Sequence, residues 1–224
     1  MREAVFMGEV TASITHEMQN VLAIIQQSAG LMGDFLDLSR RETMKSLGFR
    51  KGFQYHDKFR TLIGAINEQV ERGTGLSEGL NRLAHVTDDQ GGRSDMTRLS
   101  GLLFSLIRRI ARKRRIEFVL ETPETAGPVM ADCPPMTALM SLYGVARAFV
   151  GALSGCTVRV WVGFRGNDPV VDFFLPEGGA GSPAIALPPG GAFDEKAGSP
   201  RLEVRKDGVG LVFSPCPSAE AGSR

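Results

Sequence analysis

Three residues near the start of the chain have types and spacing suited to chemistry: His16, Glu17 and Asn20. His16 and Asn20 are four apart, so a helix would place them one turn apart on one face. A neutral imidazole nitrogen is a competent nucleophile toward phosphorus near pH 7. A neighbouring carboxylate holds the ring tautomer and takes up its proton, and an amide one turn away orients a water or a phosphoryl oxygen. By spacing alone, however, a histidine on an amphipathic helix reads more simply as an ordinary surface residue. His56 and His85 have no companions at metal-ligand spacing and read as surface or packing residues. Cys133, Cys156 and Cys216 are odd in number and widely spaced. They suit small core residues or free thiols in a reducing compartment, not a zinc site or a disulfide framework.

The element that must carry His16 is a long helix. With Ile14 at heptad position a, Val21 and Phe35 also fall at a, and Val10, Ile24, Leu31 and Leu38 fall at d. Met18, Ile25 and Met32 widen the stripe at e. His16 then falls at c, off the apolar stripe and open to a partner. A second helical pattern runs from Phe59 through Leu62, Ile63, Ile66, Val70, Leu76 and Leu80 to Leu83, although Gly64, Gly73, Gly75 and Gly79 interrupt it. Each glycine weakens a helix by up to ~1 kcal/mol relative to alanine, so packing must hold it. Residues 40–58 are polar and basic and read as the connection of a hairpin. Two helices cannot enclose stripes this wide. The simplest solution is a homodimer in which two hairpins make a four-helix bundle.

Asp88-Asp89-Gln90-Gly91-Gly92 is the linker candidate, and the period changes beyond it. Ser94 or Asp95 suits the N-cap of a helix with Met96, Leu99, Leu102, Leu103, Leu106, Ile107 and Ile110 on its apolar face. Ile116–Glu121 reads as a strand. Pro134 and Pro135 suit the start of a helix running to about Leu153. Val158, Val160, Val162 and Phe164 alternate with Arg159, Trp161 and Gly163, as in a half-buried strand. Val170–Leu175 is another strand. Gly178–Gly191 reads as a loop, and 201–206 with 209–214 as strands flanking Asp207-Gly208, a hairpin signal. The tail after Pro217 is expected to fray. The fold class is α+β: a helical hairpin over residues 1–90, then an α/β sandwich over 94–217 with helices on one face of a mixed sheet.

The segment Ala12-Ser13-Ile14-Thr15-His16-Glu17-Met18-Gln19-Asn20-Val21-Leu22-Ala23-Ile24-Ile25 resembles the H box of bacterial two-component sensor histidine kinases, with its His-Glu-x-x-Asn core followed by Leu-x-x-Ile. The resemblance continues in order along nearly the whole chain. Phe59–Val86 is similar to the family's second dimerisation helix, and Asp95–Leu120 to the first helix and strand of its catalytic domain. Ala131–Phe149 is similar to its N-box helix, and Leu202–Pro215 to its closing hairpin. One departure lies in the H box, where Val21 stands in place of the usual proline, and the bend a proline gives a helix is expected to be weaker.

The second half departs further. The family's N box, roughly Asn-Leu-x-x-Asn-Ala, supplies side chains for magnesium and triphosphate. Here the matching segment is Ser141-Leu142-Tyr143-Gly144-Val145-Ala146, with Ser141 and Val145 in place of the two asparagines. Valine offers no oxygen, and magnesium requires oxygen ligands. In place of the adenine-recognising Asp-x-Gly-x-Gly there is only Pro176-Glu177-Gly178-Gly179. Asp172 lies inside a strand and not at a loop. Gly178–Gly191, with prolines 183, 188 and 189, reads as a shortened, flexible lid remnant with no Lys, Ser/Thr or helix start at the spacing of a phosphate loop. The resemblance therefore implies a histidine phosphotransferase that shuttles a phosphoryl group between receiver-domain aspartates through His16, with Glu17 and Asn20 assisting. It implies no bound metal, no ATP–magnesium cofactor, and response-regulator receiver domains as partners. The alternatives are a sensor kinase with a divergent ATP site and a non-catalytic pseudokinase scaffold.

Composition sets the outer bounds. The chain has 224 residues, 42% hydrophobic and 23% charged, the balance of a globular protein. A formal net charge of +1 gives no global pull toward nucleic acid or anionic lipid. Residues 108–115 are strongly basic. They read as a solvated helix C-terminus, where cations favour the dipole, with phosphate contact as the rival reading. No apolar run of ~18 residues suggests a membrane span. Met1–Phe6 is too polar for a signal peptide. A cytoplasmic protein without nucleic-acid or membrane partners is the expectation.

Overall fold

A computed structural model describes residues 3–45, 55–88, 92–123, 127–176 and 199–216. It divides into two compact units, one of residues 14–78 and one of residues 1–13 with 79–224. Two long helices, α1 (Glu3–Lys45) and α2 (His56–Asp88), run through both units.

In the unit of residues 14–78 the two helices are antiparallel. Glu17 pairs with Arg72, Gly73 approaches Val21, Phe35 meets Tyr55 and Lys58, and Glu42 accepts from Tyr55. The pairing of low with high numbers fixes the direction. A Cβ on Gly73 would sit 3.3 Å from Val21 Cγ1, so the glycine that weakens α2 locally also lets the helices close. The heptad expectation is met at position a, where Ile14 and Val21 are buried. Position d differs: Ile24, Leu31 and Leu38 remain 38%, 41% and 43% exposed. On α2, Ile63 and Val70 are likewise exposed, and Gln69 and Gly73 take the buried positions.

In the other unit the five-stranded sheet has the order β2-β4-β5-β7-β6. Its strands are β2 (Glu117–Glu121), β4 (Thr157–Arg165), β5 (Asp168–Phe174), β6 (Arg201–Arg205) and β7 (Gly208–Val212). β2 is parallel to β4, and every other pairing is antiparallel. Two helices, α3 (Met96–Arg112) and α4 (Pro135–Ala152), supply the other half of the core. Leu99, Leu103, Leu106 and Ile107 of α3 are buried, as are Leu139, Leu142, Val145 and Phe149 of α4. Val158, Val160 and Val162 alternate into the core as their period predicts. Phe164, expected to continue that row, is exposed near the end of β4.

Asp95 is the N-cap of α3, its Oδ1 accepting from the amides of Thr97 (3.0 Å) and Arg98 (3.1 Å). Ser94 turns inward and donates to the carbonyl of Cys133 at 2.5 Å. A second, small sheet pairs β1 (Arg93–Asp95) with β3 (Met130–Asp132). It was not expected, because three-residue strands are too short to show a period. In the hairpin the two-residue turn is shifted one residue toward the N-terminus of the expected one, to Lys206-Asp207, and Gly208 is the first residue of β7. A Cβ there would fall 2.0 Å from the Phe173 carbonyl oxygen, so only glycine fits. The expected lid remnant Gly178–Gly191, the tail after Pro217, residues 46–54 of the connection and residues 89–91 of the linker lie outside the described residues.

Candidate functional site

His16 and Asn20 are both exposed on α1, one turn apart, as the c position requires. Among the described residues neither side chain has a hydrogen-bond partner, and the face they form is open to a partner's reacting group. Ile14 and Val21, on the opposite side of the same turns, are buried and fix the rotation of the helix.

Glu17 lies about 100° further round the helix and is half-buried. Arg72 of α2 donates to its Oε1. The carboxylate is therefore anchored across the hairpin. Sequence reasoning placed Glu17 beside His16 but missed Arg72. The two are 55 residues apart, and an arginine on the polar side of an amphipathic helix carries no distinguishing mark. His56 and His85 are also exposed, His56 lying 3.7 Å from Asp57. Among the described residues no group of three His, Cys, Asp or Glu side chains is placed to hold a metal ion.

The residues at the N-box positions face the core. Val145 is fully buried, and Ser141 is buried with its hydroxyl donating to the Thr137 carbonyl one turn back, at 2.8 Å. Neither presents an oxygen to a cleft. Their neighbour Tyr143 donates to Glu9 Oε2 of α1 at 2.5 Å, Arg147 reaches Glu9 Oε1 at 2.9 Å, and the Phe6 ring stands edge-on to Tyr143 at 5.1 Å. Burial and the Glu9 carboxylate both push the Tyr143 phenol upward, burial more. The first turns of α1 are thus packed onto α4 through a buried tyrosine. Glu9 was not singled out in the sequence.

Asp172, the aspartate nearest the expected adenine box, is buried in β5 between two arginines. Arg165 Nη2 approaches Oδ2 at 2.8 Å and Arg205 Nη2 approaches Oδ1 at 2.7 Å. Arg165 also reaches Glu203 at 2.7 Å, and Arg201 reaches the same carboxylate at 2.9 Å. These pairs, chiefly the hydrogen bond from Arg165, hold the Glu203 carboxyl below its ordinary range. Asp172 is therefore committed to a cross-strand ion network. A buried carboxylate of this kind is stable only when paired.

No protein-family model matches the chain. No curated protein matches it in sequence. Among solved structures it is similar to the Acinetobacter baumannii histidine kinase AdeS, with 13% identity and a TM-score of 0.43 over 90% of this chain and 98% of that one. It is similar to a bacterial phosphotransferase at 12% identity and a TM-score of 0.43, covering 95% and 97% of the two chains. It is similar also to the histidine kinase ThkA, solved in complex with the response regulator TrrA, at 16% identity and a TM-score of 0.40, covering 94% of this chain and 61% of that one.

Proposed function

We propose that the protein is a histidine phosphotransferase of two-component signalling, carrying phosphoryl groups on His16 between receiver-domain aspartates. The observation that carries this reading is a contrast. His16 and Asn20 stand exposed together on α1, whereas Ser141 and Val145, which occupy the nucleotide-metal positions of the H-box family, are packed into the core.

In the forward step an unprotonated His16 nitrogen attacks the phosphorus of a receiver's aspartyl phosphate. The N–P bond forms, the P–O bond breaks, and the aspartate leaves as a carboxylate. The proton on the other ring nitrogen passes to Glu17 or to solvent. Asn20, one turn along, donates to a phosphoryl oxygen. In the return step a second receiver's aspartate attacks phosphorus, and the ring recovers its proton. Arg72 holds the Glu17 carboxylate in place between cycles. The magnesium belongs to the receiver. The half-exposed row Ile24, Leu31 and Leu38 supports a homodimer, because a second hairpin would cover it.

The test is transfer of acid-labile phosphate from a panel of phosphorylated receivers. Label is expected on His16 and absent in His16→Ala, with His56→Ala and His85→Ala labelling normally. Receivers that bind the wild-type chain without labelling it would replace this reading with a scaffold.

A further inference from the structure

The basic run that ends α3 folds into a cleft. Six of the eight residues from Arg108 to Arg115 are Arg or Lys. Phe104, Arg108 and Arg112 follow one another at intervals of one turn and present one face of the helix. Together with Arg115, Glu117 and Phe118 they line a cleft of about 350 Å³. The Phe104 and Phe118 rings stack within it, 5.0 Å apart and 8° from parallel. Arg108, Arg112 and Arg115 have no carboxylate partner among the described residues. Elsewhere in this unit guanidinium groups pair readily, as Arg147, Arg159, Arg165, Arg201 and Arg205 do.

The backbone adds a second, independent observation. Arg115 has φ +56°, the left-handed conformation, and among the described residues it is the one non-glycine residue with a positive φ. It sits just past the helix end, where Ile116 N–H donates to the Ala111 carbonyl (3.0 Å) and Arg115 N–H to that of Arg112 (2.9 Å). Glycine is the usual occupant of such a position because a Cβ is strained there. Cations near a helix C-terminus favour its dipole, which accounts for Arg109 and Arg112. It does not account for an arginine at a site where the backbone favours glycine, as it does at Gly155 and Gly166. That strained turn places a third guanidinium on the cleft.

We propose that this cleft binds an anion bearing two or more adjacent phosphates. Guanidinium groups recognise phosphate oxygens in paired hydrogen bonds, and three of them span more than one phosphate. The inference does not depend on phosphotransfer at His16.

The test is a calorimetric titration of the full chain with tripolyphosphate and with magnesium-free ATP and GTP, against sulfate at matched ionic strength. Tripolyphosphate is expected to bind saturably and at least tenfold more tightly than sulfate. Arg108→Ala and Arg112→Ala should each weaken it by tenfold or more. Arg115→Gly is the distinguishing variant, because it should weaken binding while raising Tm by about 2–4 °C through relief of the strained backbone. If the nucleotides bind tenfold tighter than tripolyphosphate, with the same arginine dependence, the ligand is a nucleotide whose base uses the Phe104–Phe118 rings. If they match tripolyphosphate, the ligand is a free oligophosphate. Binding no tighter than sulfate, or unchanged in the arginine variants, would overturn the proposal. So would a single-stranded oligonucleotide that binds a hundredfold tighter than tripolyphosphate, which would make the surface one for nucleic acid.

Discussion

Arg72, on α2, donates to the carboxylate of Glu17, the residue that follows His16 on α1. The pair ties the helix that carries the nucleophile to its partner helix at the level of the nucleophile. It also fixes where the proposed proton acceptor sits.

The pair makes a quantitative expectation for transfer. Glu17→Ala should slow phosphoryl uptake by roughly 10²–10⁴-fold if the carboxylate acts as general base. Arg72→Ala keeps the carboxylate but frees it, and should slow uptake less. The double variant should be no slower than Glu17→Ala, because Arg72 acts through Glu17. Additive losses in single-turnover rates would mean that Arg72 acts on the phosphoryl group directly. Arg72→Ala should also lower the urea midpoint, because Glu17 is only 13% exposed and removal of one partner leaves a half-buried charge.

The exposed d row yields a second expectation. Ile24 and Leu31 are 38% and 41% exposed in one chain, large apolar side chains left open to solvent. Glutamate at either site would place a charge in the seam of the proposed four-helix bundle, where desolvation is costly. Ile24→Glu and Leu31→Glu should shift the protein from dimer to monomer in light scattering. His16→Ala should leave the dimer intact, because the c position lies outside the seam. A native chain that scatters as a well-folded monomer would defeat the dimer.

Much of this arrangement was legible in the sequence where period is strong. The stripe on α3 and the alternation of Val158, Val160 and Val162 were read from local pattern and recur in the structure, and of the two cap candidates Ser94 and Asp95 it is Asp95 that caps α3. The exposure of His16 followed from the heptad. What could not be read is long-range or brief. Arg72 reaches Glu17, and Tyr143 reaches Glu9 across 134 residues, through contacts that leave no periodic trace. β1 and β3 are three residues each, shorter than any window that reveals alternation. The d row of α1 looks the same in sequence whether its own partner helix or another chain covers it. Asp172 shows the limit from the other side: its distance from a loop was legible, but its two arginines, one on β4 and one on β6, were not.

Burial of Cys133 leads to a pH dependence. Its thiol is pushed up to about 12 by burial first and by the Asp132 charge second, from an ordinary value of 9.0. In the window between those values the unfolded chain releases the proton while the folded chain keeps it. The unfolded state then binds fewer protons, so stability falls as pH rises. The contribution is fully present below about pH 9 and is lost progressively toward pH 12, by at most ~1.4 kcal/mol per pH unit. Tyr143, also raised by burial, steepens the upper part of the decline. Urea midpoints measured from pH 8 to 11 should fall, and Cys133→Ala should flatten the lower part of that fall. At pH 8 the native Cys133 should resist iodoacetamide.

The position of Val145 makes the proposed lack of a nucleotide-metal site testable by substitution. A motif comparison alone suggests that Val145→Asn, with Ser141→Asn, would return the missing amides. The structure gives the opposite expectation. Val145 is fully buried on α4 beside Leu142 and Phe149, and Ser141 already satisfies its hydroxyl within the helix. Asparagine at 145 would bury an amide with no partner, which costs about 1–3 kcal/mol. The double variant should therefore unfold at lower denaturant concentration and still fail to label His16 from ATP and magnesium. Wild type should also fail, while both remain labelled by a phosphorylated receiver under conditions where they are folded. Labelling of wild-type His16 directly from ATP would show that this chain holds a nucleotide's metal by other residues, and the phosphotransferase reading would give way to a kinase.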